Sequence, residues 1–251
     1  MTPALKRFIP QSAQTLIRKW STQQVQRIYA PLTLSQTFDR IYRTNAWGGA
    51  GAVAPQSGLG STGRYVEEYC AVVSALLRQH DVHTISDLGC GNFNTGRVIA
   101  AGAERYTGVD IAQAVIDTNN RNHSCEAVRF VRADLTRDLL PPADAAIVRQ
   151  VLQHLTNAEV SAALGNVLST YSLAIVTEHI YVGSGAQPNL DMAHGPGTRV
   201  PRRSGVFIDQ APFGVKATVI GDIDYAPDEV LRTWVVPGIR REAQQQGSPG
   251  C

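Results

Sequence analysis

Several features that would assign the chain to a specialised class are missing. No apolar run approaches the roughly 20 residues that a bilayer-spanning helix needs. The N-terminus carries a proline and scattered charges where a secretory signal would have an unbroken apolar centre. The four cysteines show no C-x-x-C spacing, and a net charge of +2 is too small to indicate nucleic-acid binding. We therefore expect a cytoplasmic protein with no metal ion and no disulfide framework that binds neither nucleic acid nor membrane.

What is present is an alternation of strand and helix patterns. Of the 251 residues, 43% are hydrophobic and 18% are charged, which is typical of a globular protein. Strand-like runs read HTISDL, RYTGVD, AVRFVRAD, DAAIVRQ and SLAIVTEHI, with helical patterns near residues 95–103, 112–121 and 157–170. This order predicts an α/β fold with a doubly wound, Rossmann-like, mostly parallel sheet and helices on both faces. Ligands of such sheets bind beyond the carboxyl ends of the strands.

The flanking segments depart from this alternation. Residues 1–45 have an amphipathic helical pattern, and the stretch WGGAGAVAPQSGLGSTG that follows is a loop rich in glycine, serine and proline. We expect an N-terminal helical and loop cap, or lid, over residues 1–64 and one globular domain over residues 65–251. After residue 181 a polar loop leads to the strand-like runs GVFIDQ, VKATVIGDI and LRTWVV, which we expect at the edge of the same sheet.

A glycine-rich turn, SDLGCGNFNTG, follows the first predicted strand and carries Gly89 and Gly91. A dinucleotide fingerprint would have a third glycine where Asn94 stands, and a P-loop would have a lysine that this turn lacks. Asp87 precedes the first glycine, where it would repel a pyrophosphate but attract an amino-acid ammonium group. The turn therefore favours a nucleoside ligand without phosphate.

Acidic residues also end the next two strands, Asp110 in YTGVD and Asp134 in FVRADL. A carboxylate in the place of Asp110 commonly accepts hydrogen bonds from ribose hydroxyls. Asp134 can accept from an adenine amino group while the backbone N–H of Leu135 donates to the ring. One such acid alone could equally cap the following helix. Three of them behind a glycine turn describe a site for ammonium, ribose and adenine.

The motifs DLGCGNFNTGR, YTGVDIA, RADL and DAAIVRQVLQHL resemble, in order and spacing, those of the class I S-adenosylmethionine-dependent methyltransferases. The stretches FDRIYRTNAWG, NLDMAHG and SGVFIDQAPF further resemble a bacterial subgroup with small-molecule or saccharide acceptors. The resemblance implies S-adenosylmethionine as cofactor and a seven-stranded sheet with an antiparallel strand in its last hairpin. Phe93 stands where this family often has a third glycine, so we expect it to crowd the methionine end of the cofactor. The expected cofactor-binding residues are Asp87, Gly89, Gly91, Asn92, Phe93, Asp110, Ile111, Asp134, Leu135, Arg149 and Gln150.

Candidates for acceptor binding and catalysis follow the fourth and fifth strands. His154 in RQVLQHL is a candidate base, as are Glu178 and His179 in TEHIY, although each could be structural. Neighbours on a strand point to opposite faces, so at most one of Glu178 and His179 should line the pocket. Arginines at positions 149, 199, 202 and 203 would favour an anionic or sugar-like acceptor if they converge. The expected acceptor-binding residues are Tyr42, Trp47, Arg149, Asn189, Asp191 and Arg199.

These features predict an S-adenosylmethionine-dependent methyltransferase that modifies a small molecule, at oxygen rather than nitrogen. Other methyltransferase subgroups that act on amide or amine nitrogens carry Asn/Asp-Pro-Pro-aromatic after the fourth strand, and RQVL stands there instead, which argues against methylation of nucleic-acid bases. One alternative is an NAD(P)-dependent oxidoreductase, which Asp87 and the missing glycine at position 94 oppose. The other is a non-catalytic cofactor-binding partner subunit.

Overall fold

The computed structural model describes residues 27–48 and 64–238. The seven strands are β1 (Thr84–Leu88), β2 (Arg105–Asp110), β3 (Val128–Arg132), β4 (Ala145–Arg149), β5 (Leu173–Tyr181), β6 (Thr218–Ala226) and β7 (Glu229–Pro237). The α-helices are α1 (Leu34–Arg43), α2 (Arg64–Gln79), α3 (Gly96–Ala100), α4 (Gln113–His123) and α5 (Asn157–Thr170), and short 3₁₀ turns span Leu152–His154 and Val200–Arg202.

The strands form one sheet in the order β3-β2-β1-β4-β5-β7-β6. Strands β1 to β5 pair in parallel, whereas β7 runs antiparallel to both of its neighbours, β5 and β6. The predicted α/β sheet, its seven strands and the antiparallel strand of its last hairpin are thereby confirmed. The strand order reverses direction between β1 and β4, which is where an open parallel sheet opens a crevice for a ligand.

The central strands are buried on both faces because helices cover both sides of the sheet. In β4, Ala146 and Val148 pack into one hydrophobic cluster with α1 and α5, while Ala145 and Ile147 pack into a second cluster with α2. All four are at most 1% exposed. Side chains alternate across a strand, so two covered faces require a continuous apolar run, as AAIV provides.

Two helices begin at capping boxes that the sequence encodes. The Thr33 hydroxyl caps α1 and the Thr156 hydroxyl caps α5, and the residue three positions later, Gln36 or Glu159, reaches back to the backbone N–H of the cap. Helix α5 spans the predicted residues 157–170. Helix α1 lies within the predicted N-terminal helical segment, but residues 1–26 and 49–63 of the expected cap lie outside the described residues.

The stretch GVFIDQ is not a strand, contrary to expectation. Its apolar residues are buried in the core, but their backbone is held by a side chain instead of a neighbouring strand. The Asn189 amide donates to the carbonyls of Phe207 and Ala211, both at 2.9 Å, and its oxygen accepts from the Phe207 N–H at 2.8 Å. Within residues 27–48 and 64–238, no helix is long and apolar enough to cross a membrane.

Candidate active site

A cavity opens at the carboxyl ends of β1, β2 and β4 and encloses about 970 Å³, counting its open mouth. Its lining includes every predicted cofactor-binding residue except Phe93. It also includes His154 and the predicted acceptor-binding residues Tyr42, Trp47 and Arg149.

The glycine turn forms the part of the cavity wall that follows β1. Gly89 has φ +87°, and a Cβ there would lie 2.2 Å from Cγ2 of Val151. The N–H groups of Gly89 and Cys90 both donate to the carbonyl of Val109, at 2.7 and 3.0 Å, which anchors the turn on β2. A side chain at position 89 would therefore be both strained and obstructed, and glycine keeps the backbone close to the cavity.

Asp110 ties this turn to the start of α4. Its carboxylate accepts from the N–H groups of Gly91 at 3.1 Å and Ala112 at 2.9 Å. Burial raises the pKa of Asp110 to about 6, and these backbone donors oppose the rise. Each carboxylate oxygen has a second lone pair, so the group keeps the capacity to accept from ligand hydroxyls.

Asp87 and Arg149 place opposite charges on the floor of the cavity, at neighbouring strands. The Tyr106 hydroxyl donates to the Asp87 carboxylate. Burial raises the pKa of Asp87 to about 6, and both this hydrogen bond and the charge of Arg149 oppose the rise. The guanidinium carbon of Arg149 lies 4.7 Å from the centroid of the Tyr69 ring, within the range of a cation–π contact.

Asp134 lines the cavity but is also engaged locally. Its carboxylate accepts from the N–H and the hydroxyl of Thr136, at 2.9 and 2.6 Å, and pairs with Arg137 at 3.1 Å. The turn-capping role that a lone strand-end acid can have is thus present here. Its contact with adenine stays a prediction.

The expectation that Phe93 crowds the cofactor site is wrong, because its side chain does not line the cavity. Its φ of +64° turns the ring beneath the glycine turn, where it is 5% exposed. The ring packs against Phe130 and Tyr106, with centroids 4.9 and 5.2 Å away. The residue is part of the hydrophobic core under the site.

His154 is the one catalytic candidate that lines the cavity among the described residues. Its Nδ1 lies 3.0 Å from the Gly197 carbonyl, which can only accept, so Nδ1 carries the proton. Its Nε2 lies 3.3 Å from the amide nitrogen of Gln153 and accepts from it. Burial lowers the pKa of His154 to about 4, although the bond to Gly197 opposes this shift. The imidazole is therefore neutral near pH 7, with Nε2 as its basic atom.

Neither candidate on β5 lines the cavity, although the sequence allowed one of them to do so. The Glu178 carboxylate is fully buried and accepts from the N–H groups of the turn after β4. His179 lies on the opposite side of the strand, where its Nε2 is 3.0 Å from Glu229 and its ring centroid 4.3 Å from that of Tyr225.

The predicted acceptor-binding residues fall into two groups. Tyr42 and Trp47 form an aromatic wall of the cavity, with ring centroids 5.2 Å apart. Asn189, Asp191 and Arg199 do not line it, which corrects their expected placement. Asn189 holds the buried GVFIDQ segment, Asp191 accepts from the first N–H of α5 at 2.8 Å, and Arg199 is fully buried.

The predicted convergence of arginines around the cavity is therefore not observed: Arg202, for example, donates to the carbonyl of Asp191 at the surface. Sequence reasoning also missed cavity residues that look like ordinary core positions. Phe38 and Tyr69 belong to apolar helix stripes, and only their places near the ends of the strands bring them to the site.

Comparisons with known proteins agree with this geometry. A family model described as a methyltransferase domain matches residues 86–170. No curated protein sequence is significantly similar to the chain. Among solved structures, NodS, an N-methyltransferase from Bradyrhizobium japonicum WM9 in complex with S-adenosylhomocysteine, is 14% identical, with a TM-score of 0.56 over 78% of this chain and 98% of its own.

Two further structures share the fold. The N-terminal domain of EvdMO1, crystallised with S-adenosylhomocysteine and D-fucose, is 15% identical, with a TM-score of 0.51 over 83% of this chain and 98% of its own. The methyltransferase domain of bacterial CtHen1 is 19% identical, with a TM-score of 0.50 over 68% of this chain and 98% of its own. The methyltransferase model covers the glycine turn and the strand-end acids of the cavity, and the sheet has a Rossmann-like methyltransferase fold. Residues 86–170 thus form a methyltransferase domain, the part of an enzyme whose cofactor is S-adenosylmethionine.

Proposed function

We propose that the enzyme methylates a hydroxyl oxygen of a small-molecule acceptor. The observation that carries this proposal is His154, a neutral imidazole in the same cavity as the cofactor residues. The Gly197 carbonyl occupies Nδ1, so Nε2 is the basic ring atom, and it accepts a hydroxyl proton when the acceptor hydroxyl replaces the Gln153 amide as its hydrogen-bond partner. S-adenosylmethionine, when bound, supplies a methyl group that is already activated by a sulfonium.

In this proposal the acidic half of the cavity binds the cofactor. Asp87 receives the ammonium group, and Asp110 receives the ribose hydroxyls with its remaining lone pairs. Asp134 and the N–H of Leu135 receive the adenine. The absence of a side chain at Gly89 lets the backbone approach the ligand, and the lack of a lysine in the turn is consistent with a ligand that has no phosphate.

The other half of the cavity aligns the acceptor. Proximity and orientation contribute about 7–11 kcal/mol in favourable cases, so alignment by the cavity walls is the larger part of the task. His154 accepts the hydrogen bond of the acceptor hydroxyl, takes its proton during methyl transfer and releases it to solvent. A positioned base of this kind adds about 10²–10⁴-fold.

We propose an anionic or sugar-like acceptor. The rings of Phe38, Tyr42 and Trp47 offer flat apolar surfaces against which a sugar or another ring can stack. Arg149 offers a guanidinium at the floor, which suits a carboxylate or a phosphate. The N-terminal domain of EvdMO1 was crystallised in the presence of D-fucose, which is consistent with a sugar acceptor for this fold, whereas NodS is an N-methyltransferase.

We further propose that residues 1–64 act as the cap of a domain formed by residues 65–251. The described part of this cap, α1 and Trp47, already contributes to the cavity wall. A cytoplasmic location is consistent with the free thiols of Cys70, Cys90 and Cys125.

The experiment is a mass-spectrometric screen of acceptors with S-adenosylmethionine. The panel contains hydroxylated sugars, hydroxy acids and neutral phenols, each with an amine counterpart. We expect O-methylated products from the sugars or hydroxy acids. Products confined to the amines would contradict O-methylation, and activity confined to neutral phenols would contradict the proposed acceptor class. Cofactor binding without any product would favour the non-catalytic partner subunit.

A further inference from the structure

The turn after β4, residues 150–155, carries four cavity residues, Gln150, Val151, His154 and Leu155. Its N–H groups are bound from the core side by one fully buried carboxylate. Glu178 accepts from Val151 at 3.1 Å, Leu152 at 2.9 Å and Gln153 at 3.0 Å. Three N–H groups that a short turn leaves without backbone partners are thereby satisfied by a single side chain.

The carbonyl groups of the same turn are bound by a fully buried guanidinium. Arg199 Nη1 donates to the carbonyls of Leu152 and Gln153, at 3.4 and 3.2 Å, and Nη2 donates to that of Leu155 at 2.7 Å. Nη2 also donates to the Asn157 side chain at 2.9 Å, and Nε to the Leu190 carbonyl at 2.9 Å. A guanidinium has five N–H donors, and this one has five acceptors.

The two charges balance each other across the turn. The negative charge of Glu178 raises the pKa of Arg199, and the positive charge of Arg199 lowers the pKa of Glu178, each against the larger effect of burial. Two buried charges of opposite sign are seldom the most stable filling of a core, because apolar residues of similar volume avoid the desolvation cost. A gain in stability is thus a weak explanation for this pair.

The geometry of the turn bears directly on His154. Two further bonds hold this residue: its carbonyl accepts from the Gly195 N–H at 3.1 Å, and Nδ1 meets the Gly197 carbonyl. Of the charged groups, Arg199 faces the ring and lowers its pKa further. The Gln153 amide and the aromatic rings of Phe38 and Trp47 also lie beside the ring.

We infer that Glu178 and Arg199 are positioning residues, which hold the turn after β4 from its N–H side and its carbonyl side and thereby aim His154 at the acceptor. They act through His154, and neither of them lines the cavity. The inference rests on the proposed function only in its last step, the use of His154 on the acceptor. Its structural part, control of the imidazole by the two buried charges, is independent of any activity.

The first test is ¹⁵N NMR of the His154 ring in the full chain, without acceptor. Arg199→Lys keeps the charge but has three donors instead of five, and Glu178→Gln replaces one acceptor oxygen with a donor facing an N–H group. In both variants we expect the Nδ1–H tautomer to lose its dominance. In Arg199→Met we expect the pKa of His154 to rise by about one pH unit. Arg202→Lys, three positions along and at the surface, is the matched control.

The second test separates positioning from general damage by a double-mutant cycle on kcat. In the wild-type background, Arg199→Lys and Glu178→Gln should lower kcat by about tenfold or more. In a His154→Gln background the same changes should lower kcat by less than about twofold, because the residue through which they act is gone. Cofactor affinity and unfolding free energy are measured in parallel for each variant.

An unchanged tautomer and pKa of His154 in folded Arg199→Lys and Glu178→Gln would overturn the inference, whatever the activity. Equal losses of kcat with and without His154 would also overturn it. Loss of folding in Arg199→Met leaves the two milder variants to decide. Absence of methyl transfer to any acceptor would refute the proposed function, while the NMR result would still test whether Glu178 and Arg199 control the His154 ring.

Discussion

Gly89→Ala tests how closely the glycine turn and the turn after β4 approach each other. The new Cβ would lie 2.2 Å from Cγ2 of Val151 and 3.4 Å from its Cβ and Cγ1. Overpacking of this kind costs about 1–3 kcal/mol. The φ of +87° adds about 1–2 kcal/mol for a residue that has a Cβ. We therefore expect unfolding free energy to fall by about 2–5 kcal/mol.

The steric and conformational parts can be separated with Val151→Ala. Removing both γ-methyl groups leaves a 3.4 Å contact, which is ordinary van der Waals distance, but it leaves φ unchanged. The double variant should therefore recover about 1–3 kcal/mol of the loss beyond simple additivity. Because both residues line the cavity, we also expect the Kd of S-adenosylhomocysteine to rise in Gly89→Ala and to recover partly in the double variant.

The assay is urea unfolding of four proteins: the wild type, Gly89→Ala, Val151→Ala and the double variant. Each is also titrated with S-adenosylhomocysteine in a calorimeter. Gly165→Ala is the control, because Gly165 lies in the exposed part of α5 and a Cβ there meets nothing within 4 Å. That change should stabilise the protein by about 0.5–1 kcal/mol. The close approach of the two turns would be refuted by a Gly89→Ala protein that is as stable as the wild type. It would also be refuted by a double variant that recovers none of the lost unfolding free energy.

Three further predictions concern charged and titratable groups in the cavity. Asp110→Asn should weaken binding of S-adenosylhomocysteine by about 10- to 150-fold in calorimetry, because a hydrogen-bonded charge is lost, whereas the exposed Asp117→Asn should not. His154→Gln should lower turnover by about 10²-fold with little change in cofactor affinity, and His179→Gln, which is outside the cavity, should not. Burial lowers the pKa of His154 from 6.5 to about 4, so the neutral ring stabilises the fold above pH 6.5 and this contribution is lost as the pH falls towards 4. At about 1.4 kcal/mol per pH unit, the unfolding free energy of the wild type should fall by about 3 kcal/mol relative to that of His154→Gln over that interval, as measured by urea unfolding. Parallel plots of unfolding free energy against pH for the two proteins would refute the lowered pKa of His154.

The sheet and the cofactor half of the cavity were predictable because their signals are local. A strand buried on both faces must be a continuous apolar run, and the ends of parallel strands meet at one edge. The sequence alone therefore predicts that three strand-end acids lie at one site: Asp87, Asp110 and Asp134. Glycine at position 89 follows from the same turn geometry.

The acceptor half was harder to predict because its residues are brought together by packing. Arg199 stands in a polar loop, yet its guanidinium is buried among carbonyl groups that come from a different segment. Glu178 and His179 are adjacent on β5, but whether either reaches the cavity depends on the turn after β4, which covers one of them. Phe93 was misplaced because its positive φ, which reverses the direction of the side chain, has no signature in a non-glycine residue.

The most direct test of the central claim is a pair of calorimetric titrations of the wild-type chain, one with S-adenosylhomocysteine and one with NAD. The strand-end acids and the phosphate-free glycine turn predict micromolar binding of S-adenosylhomocysteine, weakened in Asp110→Asn, and no comparable binding of NAD. Tight binding of NAD with none of S-adenosylhomocysteine would contradict the account.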